Sequence, residues 1–463
     1  MPVDLSDHPA GSTPASFLRA LDVLIREING VLVVRALGVA LSAVAGLGLV
    51  LVPGATHATT RTVTSLADTP LDGCDSNCTL REAVVSSQIG DQVDFMPGLT
   101  GTIILSRGTI SVLWSMTING PGAGVITLDA NSDPSDAQGE SRIFNVLGSA
   151  PLVTITGLTL QNGFNATNGG AIYAGGEDTH LILDGVVVQN SQTDGDGGGI
   201  YSVGKLTLIN STLHGNVAGS GGGFYAQDAT LTRSTISDNA ALDAGGFFLI
   251  GVATLTQSTV SGNSTSSVGG GFWAQGDVTL TNCTVSDNSA ENEGGGIGMY
   301  GDAIVINSTI SNNSANVGGG LHLVGDAVTT NNGTLILRNS VVADNVAATP
   351  SQWNEFKANV ATVSYSLIEG GSLPNLPVGT NGNLIGVDPK LGPLQDNGGP
   401  TLTRALLSSS PAIDVGQNST CATTDQRGVT RPADGDGNGS KICDLGAVEK
   451  VIDAVFSNGF EST

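Results

Sequence analysis

Residues 197–223 read Gly197-Gly198-Gly199-Ile200-Tyr201, then the short run Leu206-Thr207-Leu208-Ile209, then Asn210-Ser211-Thr212-Leu213-His214-Gly215-Asn216, and end on Gly221-Gly222-Gly223. The same order recurs down the chain. The last glycine of each cluster is Gly199, Gly223, Gly246, Gly271, Gly296 and Gly320, with gaps of 24, 23, 25, 25 and 24 residues. A fainter copy precedes them at Gly169-Gly170-Ala171-Ile172-Tyr173, and Asn216, Asn239, Asn263, Asn288 and Asn313 keep the same step. A fixed period in this range marks a solenoid, a propeller or an array.

The unit is too short for a propeller blade and carries no helical pattern. Ile200, Phe224, Phe247, Phe272, Ile297 and Leu321 follow the glycines, and Ser202, Ala226, Leu249, Ala274, Met299 and Leu323 stand two places on. That period of two is a strand with one face buried. Leu255 and Val260 lie an odd number apart, so a straight strand cannot bury both and the chain must bend near Gln257-Ser258. Each unit therefore reads as three short strands and three turns. The fold class is all-β: a parallel β-helix with 23–25 residues per coil. Glycine and asparagine suit its tight corners. Asparagines stacked at strand spacing can bond one another in a ladder.

The chain has 463 residues, room for two or three domains. It holds 66 glycines, 13% charged residues and a net charge of −24. Only 17 residues are Lys or Arg, which argues against nucleic-acid binding. The acidity fits a secreted protein or one that uses Ca²⁺.

Residues 1–58 read as a signal peptide with a long leader: Arg19, Arg26 and Arg35, then the uncharged run Ala36–Val52, then small residues at Ala55 and Ala58 for cleavage. An uncleaved membrane anchor is the competing reading. Behind a signal peptide, the five cysteines read as two local disulfides, Cys74 with Cys78 and Cys421 with Cys443, leaving Cys283 over. Residues 59–145 form the N-terminal cap and first coils, with Leu80–Ser87 as a short helix across the open end. Residues 146–345 carry the repeats. Residues 346–449 form a C-terminal domain after Pro350, Trp353 and Phe356 break the rhythm, and 450–463 form a tail.

Cys78-Thr79-Leu80-Arg81-Glu82-Ala83 resembles the CSLREA motif of bacterial surface proteins, with Thr for the usual Ser. Asp388-Pro389-Lys390-Leu391, Asp396-Asn397-Gly398-Gly399-Pro400-Thr401, Ser410-Pro411-Ala412-Ile413-Asp414, Asp425-Gln426-Arg427-Gly428 and Cys443-Asp444-Leu445-Gly446-Ala447 resemble the choice-of-anchor Q domain. The repeats are similar to those of chlamydial polymorphic outer-membrane proteins, as in Gly170-Ala171-Ile172. These resemblances imply a right-handed parallel β-helix on a bacterial surface or in the medium. No autotransporter barrel follows in this sequence, so that export route is not carried over. Val455–Glu461 looks like a short terminal sorting motif of some secreted proteobacterial proteins.

Three patterns are candidates for chemistry. Asp434, Asp436 and Asn438 alternate with glycines as in the first half of a calcium loop, with Asp444 standing near the place of the missing twelfth-position Glu. The plain alternative is an acidic turn tethered by a disulfide. Tyr173, Tyr201, Tyr225, Phe248 and Trp273 form an outward column, and Tyr201, Tyr225, Phe248 and Trp273 are the candidate glycan platform; the alternative is a stack that only stabilises the sheet. Asp277, Asp302 and Asp326 recur once per coil, as paired acids or as exposed turn residues. Between 150 and 345 the only Lys and Arg are Lys205, Arg233 and Arg338, so the basic partners of polysaccharide lyases are missing there. The expected work is structural or adhesive, on glycans or cell-surface proteins, as a monomer that is secreted or held on the cell surface. A polysaccharide lyase or glycoside hydrolase is the alternative, since fold alone does not decide function.

Overall fold

The computed structural model describes residues 27–28, 31–32, 58–69, 73–131, 139–147, 151–324, 333–348, 356–357, 360–370 and 381–452. The chain divides into two units, Met1–Thr56 and His57–Thr463. In the first, Glu27–Ile28 pairs antiparallel with Val31–Leu32. The apolar run of the signal reading, Pro350, Trp353, Asp326 and the terminal motif lie outside the described residues, and no described helix is long and apolar enough to cross a membrane.

One coil shows how the sequence makes the second unit. It runs Phe272–Ala274, Val278–Thr281, Thr284–Ser286 and Ser289–Ala290. Its corners are residues in the left-handed region: Gly269 at φ 70°, Asn282 at 54° and Asp287 at 61°. Every strand then pairs in parallel with its counterpart one coil later: Phe272 with Ile297, Val278 with Ala303, Thr284 with Thr309 and Ser289 with Ser314. All four offsets are equal, so the stack stays in register and like lies over like.

The result is a right-handed parallel β-helix of three parallel sheets, with 20, 12 and 8 strands. Right-handed winding is the hand that the strand twist favours. The first sheet is bent. Its two limbs are continuous strands in Ile200–Ile209 and Phe224–Thr232 and separate strands elsewhere. Three sides per coil therefore hold, and the first is folded along its middle.

Inward residues form one continuous core from Val63 to Ile368. Within it Phe224, Phe247 and Phe272 stack at 4.6 and 4.5 Å. The last glycine of the cluster is required by close approach: a Cβ on Gly246 would sit 2.2 Å from the carbonyl oxygen of Gly271. The repeated asparagines do not make the corners; the residue before each does, as in Gly215 at φ 64° and Asp238 at 54°. The asparagines turn inward instead. Asn216 Nδ2 donates to Asn239 Oδ1 at 3.0 Å, and the amide ladder continues through Asn263, Asn288 and Asn313 to Asn345. A second ladder uses hydroxyls, Ser234 N to Ser258 Oγ and Ser308 N to Ser340 Oγ. The odd cysteine, Cys283, takes a serine's place in it.

The N-terminal helix covers Leu80–Val85, with a capping box between Thr79 and Glu82. Leu80, Ala83 and Val84 join the core, and Arg81 grips Asp68 at 2.6 Å.

The chain between Leu391 and Lys450 lies along the second sheet. Thr259 Oγ1 donates to the Leu402 carbonyl at 2.7 Å, Thr284 Oγ1 donates to Gln426 Oε1 at 2.7 Å, and Ala447 N donates to Thr309 Oγ1 at 3.0 Å. Arg404 pairs with Asp287 at 2.7 Å. Strands Thr259–Ser261, Thr284–Ser286 and Thr309–Ser311 are consequently buried on both faces. Disulfides close Cys74 to Cys78 and Cys421 to Cys443.

Candidate functional site

The aromatic column forms as the alternation requires, on the outer side of the first limb. Tyr173 and Tyr201 stack at 5.4 Å, Tyr201 and Tyr225 at 5.2 Å, and Tyr225 and Phe248 at 4.9 Å, with interplanar angles of 7°, 20° and 4°. Strand pairing sets that spacing, so the rings lie face to face and turn only their edges outward. The Arg142 guanidinium caps the column 5.0 Å from the Tyr173 ring. Trp273 is next in register, but it is buried and meets Tyr300 edge-on at 5.1 Å. It fits because its neighbour is Gly298, where a Cβ would come within 2.4 Å of the indole. Burial and the nearby Asp196 carboxylate push the Tyr201 and Tyr225 phenols up.

In the acidic loop, Asp434 and Asp436 lie with Asp414, their carboxylate oxygens within 4.8 Å of one another. Much of each carboxylate is already tied to backbone. Asp414 Oδ2 accepts from Gly435 N at 3.0 Å and Asp436 N at 2.8 Å; Asp434 accepts from Gly437 N and Gly439 N at 2.7 and 2.9 Å. Asn438 turns its amide donor to Asp436 and its oxygen to Ser440 N. Asp444 directs Oδ1 to Asp414 N at 2.7 Å and Oδ2 to Lys450 N. It stands behind Asp414, so the partner of Asp434 and Asp436 is Asp414, which the loop spacing did not single out. Burial, then Glu449, push the Asp444 carboxyl up to about 7. Behind it Glu449 and Arg431 form a fully buried pair at 3.3 Å. The oxygen donors suit a hard cation, though three carboxylates supply fewer than the six to eight oxygens that Ca²⁺ takes.

Asp277 and Asp302 are stitches between coils. Asp277 Oδ1 accepts from Asp302 N at 2.9 Å, and Asp302 Oδ1 accepts from Thr334 N at 2.8 Å.

Two sets of hydroxyls line up only once the register is known. One is the Thr259, Thr284, Thr309 row that holds the C-terminal segment. The other is on the outer side of the second limb, where Thr230-Leu231-Thr232, Thr254-Leu255-Thr256 and Thr279-Leu280-Thr281 pair in register. The signal was a Thr-x-Thr triplet recurring at the coil period.

The chain is a β-helix repeat protein. Residues 143–342 match the family model described as a right handed beta helix region. Among solved structures it is similar to pectate lyase Pel9A, with a TM-score of 0.48 and 15% identity over 86% of this chain and 98% of that one. No curated protein matches it.

Proposed function

We propose that this chain is a secreted or cell-surface β-helix with a structural and adhesive role, acting as a monomer on glycans or surface proteins. The observation that carries this reading is how its polar side chains are used. The Asn amides, the Ser hydroxyls and the Asp277 and Asp302 carboxylates bond along the stack and stiffen it. The C-terminal segment closes the second sheet. The resemblance to CSLREA and choice-of-anchor Q proteins supports a place on the surface. The ring edges of Tyr201, Tyr225 and Phe248 are the proposed glycan contact; Trp273 is buried against Tyr300 and is not part of it. Asp414, Asp434 and Asp436 are the proposed calcium ligands.

A glycan-array screen of the full chain, with and without calcium, tests the reading. Binding that weakens in Tyr225→Ala is the expected result; no binding to any glycan or cell surface would remove it. Release of unsaturated or reducing ends from acidic polysaccharides is not expected, and its appearance would replace adhesion with lyase or hydrolase activity.

A further inference from the structure

The aromatic column has used up its ring faces. Tyr173, Tyr201, Tyr225 and Phe248 lie face to face at 5.4, 5.2 and 4.9 Å, so each face meets the next ring. A cation that binds an aromatic ring does so over its face, and Arg142 already covers the Tyr173 end. What the column offers a ligand is its ring edges, the Tyr201 and Tyr225 hydroxyls, and the groups beside them.

Those groups are carboxylates. The residues that enter the glycine corners pair one coil to the next as Asp196, Ser220, Asp243, Val268, Glu293 and Val317. An acid therefore stands on alternate coils. Glu293 is taken by the buried His322 at 3.2 Å. Asp196 is half-buried, and its charge acts on both the Tyr201 and the Tyr225 phenols. Asp243 holds the same place relative to Phe248 that Asp196 holds relative to Tyr201. On the other flank, between the two limbs, Asp228 and Asp277 accept from the backbone at Val252 and Asp302. Cations are scarce. No Lys or Arg stands between Arg233 and Arg338. Arg233 is at a corner and bonds Asn210. Arg142 is committed to the Asn168 and Gly169 carbonyls. Lys205 is exposed at the start of the second limb.

We propose that this column takes an amine-bearing polysaccharide, a polymer of amino sugars with free nitrogens. This rests on the glycan-adhesive reading and names the class of glycan. Ammonium groups supply the charge that Asp196 and Asp243 lack, through charge-assisted hydrogen bonds. Burial makes the Asp196 carboxylate costly to leave unpaired, and an ammonium partner relieves that cost. Burial and Asp196 also push the Tyr201 and Tyr225 phenols up. They stay protonated, so each donates to or accepts from a sugar hydroxyl. A uronate or sulfated polymer meets like charge on both flanks. A neutral glycan finds no free ring face along the stack.

Isothermal titration of the full chain in mildly acidic solution, where amino-sugar nitrogens are charged, tests this. The probes are a glucosamine oligomer, its fully N-acetylated form and an oligogalacturonate of equal length. The glucosamine oligomer should bind, the acetylated form about tenfold more weakly or worse, and the oligogalacturonate not at all. Asp196→Asn and Asp243→Asn should each weaken binding about tenfold, the loss of a hydrogen bond to a charged group. Asp238→Asn removes the same charge at an exposed corner beside His214 and should leave binding unchanged. Circular dichroism confirms that each variant is folded. No binding of the glucosamine oligomer, equal binding of the acetylated or uronate oligomer, or full affinity in both column variants would overturn the proposal. A lysine oligomer that binds as tightly would also overturn it, because bulk acidity would then suffice. If another class of glycan binds and is lost in Tyr225→Ala, the amine proposal fails and the adhesive reading stands; if no glycan or cell surface binds, both fail.

Discussion

Asn263 shows how much one side chain carries here. Its Oδ1 accepts both Asn239 N and Asn239 Nδ2 at 3.0 Å, and its own amide reaches the Ile236 carbonyl at 2.9 Å and Asn288 Oδ1 at 2.9 Å. Asn263→Ala strands several buried polar groups, so denaturant unfolding should report a loss of roughly 3 kcal/mol. Cys283 is the opposite case. It fills a serine position, and its Sγ lies 3.3 Å from the Thr281 carbonyl. Cys283→Ser is expected to leave the melting temperature the same or higher. Burial pushes the Cys283 thiol up to about 12. A thiol reagent at pH 8 should therefore label it only after the chain is unfolded, since the thiolate is the reactive form.

At the scale of elements, the C-terminal segment docks through a few side chains with many bonds. Gln426 donates to Thr259 Oγ1 at 2.8 Å and Thr401 Oγ1 at 2.9 Å, and accepts from Thr284 Oγ1 at 2.7 Å. Gln426→Ala should raise hydrogen exchange across 401–426 while the Asn-ladder coils stay protected, because local opening can precede global unfolding. Protection lost equally in both regions would mean that the segment and the solenoid unfold as one. The acidic loop belongs to this element too. Calcium at millimolar levels should raise the melting temperature, and Asp436→Asn should shrink that rise; an unchanged melting temperature removes calcium from the proposed function.

Across the whole molecule, charge opposes compactness. Forty-one acidic residues face 17 Lys and Arg. Raising NaCl from about 0.01 M to about 0.1 M shortens the Debye length from about 30 Å to about 10 Å. Self-repulsion weakens, so the melting temperature should rise. A monovalent salt at matched ionic strength also separates this screening from any specific calcium effect.

The period, the buried columns, the Asn ladder and the stacking aromatics were all legible in the chain, because each is a relation between residues one coil apart. Cys283 went unexplained because its serine counterparts, Ser258 and Ser308, only line up once the register is known. Asp414 was missed as a loop partner because turn spacing sees only near neighbours. Which faces are covered was invisible for the same reason: Gln257 meets Asp425 across 168 residues of sequence. Repetition alone determined the solenoid, since identical units can bury their apolar faces only on each other. The tertiary fold alone decided that the C-terminal segment closes the second sheet. That choice depends on where a non-repeating segment comes to rest, and no periodicity encodes it.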